Sequence, residues 1–243
     1  RLTDYERRIA AAFDAVTLVT ENETALFDTL SPETVDKHYA IANGVDTQTM
    51  NPAQAFENPF PADQRPLVFV GMMNYWANVE AVAWFAEHVL PQVREAAPDT
   101  QFWIVGGSPT DAVLALDKLP GVTVTGRVED VRPYIQHAAV ALAPLRIARG
   151  IQNKVLEYLS MGRPTVCSAQ AAAGLAARDT APIAIANGES ETTAACLRVL
   201  AGDRAPGDER QYVLEHYDWG RNLSRLAGIV AGASSAPKVA ARG

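Results

Sequence analysis

Cysteine is scarce in this chain, and the two that occur are placed for packing rather than for metal or redox work. Cys167 and Cys196 are isolated, neither belongs to a C-x-x-C pair, and both fall on apolar patterns. A disulfide framework is excluded, and buried reduced thiols are expected. Histidine is equally thin: His38, His88, His137 and His216 are scattered without metal-ligand spacing. A basic excess is missing too. With 21 Lys and Arg against 28 Asp and Glu, the net charge is −7 and the pI about 5.1. That balance argues against a general nucleic-acid surface, while leaving room for a small basic pocket facing a phosphorylated ligand. No apolar run approaches the ~20 residues of a membrane span, and no signal peptide is visible. The G-x-S-x-G nucleophile motif and the G-x-G-x-x-G fingerprint are both absent. The chain enters at Arg1 directly into a charged helical pattern and reads as a piece of a longer protein.

What is present is ordinary for a globular protein. The 243 residues are 48% hydrophobic and 20% charged, enough for one large or two small domains with a core that needs no disulfides. Leu2–Ala12 reads as an amphipathic helix, Ala15–Thr20 as a short strand and Glu21–Leu30 as a helix. A polar stretch follows from Asn43–Asp46 (NGVD), with four prolines between Pro52 and Pro66, and is the best linker candidate. Strands and helices then alternate. Strands are expected at Leu67–Val70, Gln101–Val105, Gly121–Thr125, Ala139–Ala143, Pro164–Cys167 and Pro182–Ala186. Helices are expected at Asn78–Ala97, Pro109–Leu119, Asp130–His137 with Asp130 as N-cap, and Ile151–Met161. Three terminal helices, Glu189–Leu200, Asp208–Tyr217 and Asp218–Val230, precede a small polar tail at 234–243 that reads as disordered. Such alternation implies an α/β, doubly wound parallel sheet covered on both faces. Gly71, Gly106, Gly107, Gly126 and Gly150 fall at the carboxyl ends of the strands, where ligands bind in sheets of this kind.

The most informative segment is Arg149–Val166 (RGIQNKVLEYLSMGRPTV). It reads as a glycine loop after a strand, a helix opened by Gly150 and closed by Gly162, and another strand. The first turn of such a helix offers unpaired N–H groups and a positive dipole end, both suited to phosphate. Lys154 and Glu157, three apart, share one helical face. A cation near the helix start and a carboxylate one turn on would hold a phosphate and ribose hydroxyls. The plainer alternatives are a solvated lysine and an exposed glutamate paired with it. Asn153 lies in the same first turn. Gly106–Gly107 serves either as a loop close to a ligand or as a tight turn. In the loop Gly71–Asn78 (GMMNYWAN), Asn74, Tyr75 and Trp76 form a ligand rim, or else Asn78 is an N-cap and Trp76 a hydrophobic staple.

Four stretches in order resemble the C-terminal half of retaining GT-B glycosyltransferases, group 1 or family four. They are NGVD at 43–46, GRVEDVRPYI at 126–135, GIQNKVLEYLSMGRPTV at 150–166 and HYDW at 216–219. With LPGVTVTGRVEDV upstream, the third is similar to the branch that builds bacterial exopolysaccharide or cell-surface glycans. The resemblance implies a Rossmann-like donor-binding lobe at 67–233, a linker at 47–66, and at 1–46 the end of an N-terminal lobe. It implies transfer of sugar from a UDP- or GDP-linked donor, with retention and without metal or other cofactor. The acceptor, a glycan or lipid-linked molecule, would bind the N-terminal lobe, with no nucleic acid involved. The site would be cytoplasmic, and the whole protein could associate peripherally with the inner face of the membrane.

The family's signature is two glutamates separated by seven residues. Glu157 matches the second, which holds ribose hydroxyls, whereas Arg149 replaces the first, which faces the donor sugar. A basic pair usual in the loop after the first strand is replaced by Met72, Met73 and Asn74. Arg149 and Lys154 are therefore expected to take the diphosphate and stabilise the leaving charge, with the amides of Gly150, Ile151 and Gln152 and with Asn153 beside them. Arg127 and Val128 are expected at the base, and Gly71 and Asn74 at the rim. Two rival readings stand beside this one: a sugar-nucleotide epimerase of the same architecture, and a non-catalytic nucleotide-sugar-binding module.

Overall fold

The computed structural model describes residues 2–205 and 207–232; the expected disordered tail at 234–243 lies outside the described residues. The chain opens with helix α1 (Leu2–Ala12), strand β1 (Val16–Leu18), helix α2 (Glu21–Leu30), a 3-10 turn and strand β2 (His38–Ala40). β1 and β2 form a separate parallel pair. The sequence showed only the first of them, because the second, His-Tyr-Ala, carries no run of β-branched or apolar residues like that of Ala15–Thr20. α2 begins with a capping box: Thr20 Oγ1 accepts from the Glu23 amide, and the Glu23 carboxylate accepts from the Thr20 amide.

Strand β3 (Arg65–Val70) starts the main sheet. It is followed by α3 (Trp76–Trp84), a π-turn at Phe85–Val89, α4 (Leu90–Ala96), β4 (Thr100–Val105), α5 (Asp111–Leu116) and β5 (Val122–Gly126). Then come α6 (Arg132–Gln136), β6 (Val140–Ala143), α7 (Asn153–Ser160), β7 (Thr165–Cys167), α8 (Ala169–Ala172) and β8 (Ala184–Ile185). Helices α9 (Gly188–Leu200), α10 (Glu209–His216) and α11 (Trp219–Val230) close the described chain. The six parallel strands run in the order β5-β4-β3-β6-β7-β8, a doubly wound α/β sheet. From β3 the chain winds one way to β4, and from β6 the other way to β7. Right-handed crossovers therefore place α3 and α7 on opposite faces.

β3 alternates between two cores. Leu67 and Phe69 join Val82, Phe85 and Val89 on the α3 side, while Val68 and Val70 join Ile135, Tyr158 and Met161 on the other. Both faces are thereby buried, which is why these strands read as continuous apolar runs. Cys167 and Cys196 are buried and free, and burial pushes each thiol up to about 12.

Three expected helices differ in their details. The single helix at Asn78–Ala97 is interrupted: the Leu90 amide bonds to Phe85 O, five residues back. Pro91 follows at once and has no N–H to continue the ladder, so the chain takes a wide turn ahead of it. Asp130 is not the N-cap of α6; Val131 occupies that position, and the Asp130 carboxylate instead accepts from the Arg132 amide at 2.9 Å. Finally, α7 starts at Asn153 rather than Ile151. Gly150 takes φ +64° and Gln152 is extended, which turns Ile151 into the core.

The proline-bearing stretch is tied down at several points. Arg210 donates from Nη2 to Thr47 O at 2.8 Å and from Nη1 to Met50 O and Ser160 O at 2.8 and 2.9 Å. Gln136 Nε2 donates to Pro52 O and Gln54 O at 3.0 and 2.7 Å. No described helix is long and apolar enough to cross a membrane.

Candidate functional site

The order of strands puts the topological switch between β3 and β6, where crossovers diverge and leave a crevice at the carboxyl ends. Lys154, in the first turn of α7, reaches into this region. Its Nζ donates to Asn78 Oδ1 at 2.7 Å and lies 3.7 Å from the centroid of the buried Phe69 ring. Asn78 stands in the first turn of α3, 7% exposed, and its Nδ2 donates to Met72 O at 2.9 Å. A side chain at Gly71 would meet Asn78 Nδ2 at 2.8 Å and Lys154 Nζ at 3.2 Å. Glycine at the end of β3 is thus what leaves room for the lysine.

Burial dominates the electrostatics. Desolvation lowers Lys154 to about 7, opposed by the charge of Glu157. Glu157 is pushed upward by its own burial, opposed by Lys154. Glu157 is half-buried on α7, and its carboxylate makes no hydrogen bond among the described residues. The solvated lysine and the exposed glutamate of the plain reading are both corrected: the pair lies against the sheet because α7 is pressed onto the end of β3. The press is Tyr158, fully buried, whose hydroxyl accepts from the Val70 amide at 2.8 Å.

The other expected residues sit on loops at this same end. Arg149 is exposed, and its carbonyl accepts from Gln152 Nε2 at 3.1 Å. Asn153 is exposed, with its Oδ1 accepting from Asn43 Nδ2 at 3.4 Å. Ile151 and Gln152 precede the helix, so their amides belong to an extended approach and not to its first turn. Asn74, Tyr75 and Trp76 are exposed on the loop after β3. Trp76 is therefore no hydrophobic staple, and Asn78 is no N-cap; α3 begins two residues earlier than expected, with Tyr75 at the cap. The loop after β3 is tied to the next one by Met73 N–H to Gly107 O at 2.9 Å. Gly107 in turn neighbours Arg127, which is exposed, while Val128 packs on the core under α6.

The flanking motifs buttress the glycine loop. The NGVD and HYDW stretches pair directly: Val45 N–H bonds to Tyr217 O at 2.8 Å, and Thr47, just after NGVD, donates from Oγ1 to Asp218 Oδ2 at 2.7 Å. The Tyr217 hydroxyl accepts from the Ala176 amide at 2.5 Å, and the Tyr212 hydroxyl donates to Ala176 O. That fixes the stretch whose Gly174 lies against Gly150, where a Cβ would come within 2.3 Å of Gly150 O.

Sequence reasoning missed the roles of Asn78, Tyr158 and Gly174. A tyrosine inside the apolar run VLEYL was the available signal for one of them; the other two look like ordinary helix and loop residues. A cleft of about 780 Å³ lies at the carboxyl ends of β6 to β8, and neither Lys154 nor Glu157 lines it. Its polar side chains meet in pairs, Arg146 with Glu80 at 2.9 Å and His88 Nδ1 with Glu189 at 3.5 Å. Among the described residues no group of three His, Cys, Asp or Glu side chains could hold a metal ion.

Comparison with known proteins agrees with this architecture. A glycosyltransferase from Rickettsia africae ESF-5 superposes with a TM-score of 0.73 at 12% identity, over 96% of this chain and 67% of that one. Anabaena HepE, in complex with UDP and glucose, gives 0.70 at 10% identity, over 94% and 66%. Sucrose-phosphate synthase from Thermosynechococcus elongatus gives 0.71 at 17% identity, over 96% and 62%. This chain thus spans about two-thirds of the length of these structures, and at such identities the likeness is one of fold. No curated protein sequence matches it significantly. Residues 64–203, more than half of the 243, match the family Glycosyl transferases group 1. The chain belongs to that family.

Proposed function

We propose that this chain is the donor-binding, C-terminal lobe of a retaining GT-B glycosyltransferase. Residues 1–46 are read as the end of the N-terminal lobe, 47–66 as the linker and 67–233 as the donor lobe. The substrate is a UDP- or GDP-linked sugar, and the acceptor is a glycan or lipid-linked molecule held by the other lobe. The setting is bacterial exopolysaccharide or cell-surface glycan synthesis, at the cytoplasmic face of the membrane. The observation that carries this reading is Lys154, an ammonium in contact with no carboxylate among the described residues, at the crevice of a group 1 glycosyl transferase sheet. One structural neighbour, Anabaena HepE, is found in complex with UDP and with UDP-glucose, which supports the same ligand here.

In this reading Lys154 and Arg149 face the diphosphate, with Asn153 and the amides of Ile151 and Gln152 beside them. Glu157 holds the ribose hydroxyls, Arg127 and Val128 flank the base, and Gly71 and Asn74 shape the rim. Breaking the anomeric C–O bond puts positive charge on the sugar and negative charge on the departing diphosphate. A fixed ammonium and the N-terminal end of α7 stabilise that negative charge without rearranging during the reaction. A non-catalytic nucleotide-sugar module is the second reading, favoured by Arg149 in place of a glutamate.

Calorimetric titration with UDP, GDP and ADP, with Glu157→Ala as control, tests the binding. One nucleotide binding the parent chain, and weakened in the control, is the expected result. Absence of binding to any of the three would overturn the donor-lobe reading. Sugar transfer by the two-lobed protein separates the enzyme from the silent module.

A further inference from the structure

Asn78 carries a side chain whose orientation is set from both ends. Met72 O is an acceptor only, so the amide nitrogen must face it, and the amide oxygen is thereby turned towards Lys154. The residue is 7% exposed and comes from α3, while Lys154 comes from α7 on the opposite face of the sheet. Their 2.7 Å bond therefore spans the switch between β3 and β6.

The two groups in contact with the ammonium are neutral. An amide oxygen and the face of Phe69 fix its position without cancelling its charge. Glu157, one turn along α7, is the titratable group that acts on it, and it does so through space without a hydrogen bond. A carboxylate at position 78 would neutralise the lysine; an amide leaves the charge for an incoming anion. An ammonium has three donors, so the single bond to Asn78 leaves donors for a ligand.

We propose that Asn78 is a positioning residue that presents the Lys154 ammonium to the diphosphate of the donor, locking the first turn of α3 to the first turn of α7. This rests on the donor-lobe reading above.

The test uses Asn78→Ala and Asn78→Asp, with two measurements on the whole chain. The first is UDP affinity between pH 6 and 9. The second is the rate of Lys154 labelling by an amine-selective reagent against pH, followed by peptide mass, which needs no nucleotide. Asn78→Ala is expected to weaken UDP about tenfold, the scale of one hydrogen bond to a charged group. Its labelling midpoint should fall, because the protonated amine has lost an acceptor. Asn78→Asp, nearly isosteric, should raise that midpoint and yet weaken UDP, because the new carboxylate competes with the diphosphate. A merely structural asparagine would not move the two readouts in opposite senses. Parent-like midpoints and parent-like UDP affinity in both variants would overturn the inference while leaving the donor-lobe reading intact. A parent chain that binds no nucleotide would overturn both.

Discussion

Lys154 and Asn78, 76 positions apart, meet at 2.7 Å across the point where the sheet changes its direction of winding. One stands on the helix after β6 and the other on the helix after β3. Their contact joins the crossover after β3 to the crossover after β6, as the Arg146–Glu80 pair does nearby. It holds a cation where open α/β sheets bind ligands.

The depressed lysine has a consequence for binding. At pH 8 the free chain holds Lys154 largely neutral, since burial lowers it to about 7. A diphosphate favours the ammonium and raises that value. UDP binding at pH 8 is therefore expected to take up a proton, and affinity should fall as pH rises through 7 and above. Calorimetry in buffers of different ionisation enthalpy reads the proton directly. Lys154→Met should abolish the uptake; an unchanged uptake would show that another group titrates.

The same burial costs stability in the absence of ligand. An unfolded lysine titrates near ~10.4, well above the folded value of about 7. Below pH 7 both states are charged, and the folded one bears the full desolvation penalty. Between pH 7 and 10 only the unfolded state binds the proton, and the penalty fades as pH rises. Lys154→Met should therefore stabilise the free chain, by about 1–2 kcal/mol near pH 6 and by less at pH 9. Urea unfolding at the two pH values measures this.

Tyr158→Phe removes the acceptor of the Val70 amide while keeping the ring. The amide belongs to a buried residue at the end of β3. A loss of about 1–3 kcal/mol is expected, read from the urea midpoint at constant slope. An unchanged midpoint would mean that α7 is held to β3 by packing alone.

Gly174→Ala places a methyl group 2.3 Å from Gly150 O and 3.0 Å from Ile151 N. Backbone must move to admit it, at about 1–3 kcal/mol. The displaced loop is the one that leads into α7, so UDP affinity should fall with stability. Parent-like affinity in a destabilised variant would separate the brace from the site.

Arg149→Glu restores the family's first glutamate at an exposed position. Thermal stability should stay within about 0.5 kcal/mol of the parent, while diphosphate affinity falls through lost attraction. Tighter UDP binding would remove Arg149 from the diphosphate reading.

Particular residues show where the sequence was sufficient. β3 to β7 were legible because buried strands read as apolar or alternating runs, closed by glycine after β3 to β5, and α1 and α2 because their patterns are local. The pair Lys154 and Glu157 was legible as a candidate because three-residue spacing fixes a shared helical face. Helix limits were less so. The expected helix ran straight through Pro91, and the five-residue bond that accommodates this proline depends on packing. Gly150 was read as opening α7, whereas its positive φ delays the helix until Asn153.

Local pattern determined the α/β class, the order of elements, the glycine-tipped strand ends and the family. Tertiary structure alone decided that Asn78 faces Lys154, that Tyr158 closes the end of β3, and that Gly174 backs Gly150. The reason is physical. Periodicity and turn chemistry act over a few neighbouring residues, whereas these contacts join residues 76, 88 and 24 positions apart. They come into being only when the crossovers close and the sheet has fixed which strand lies beside which.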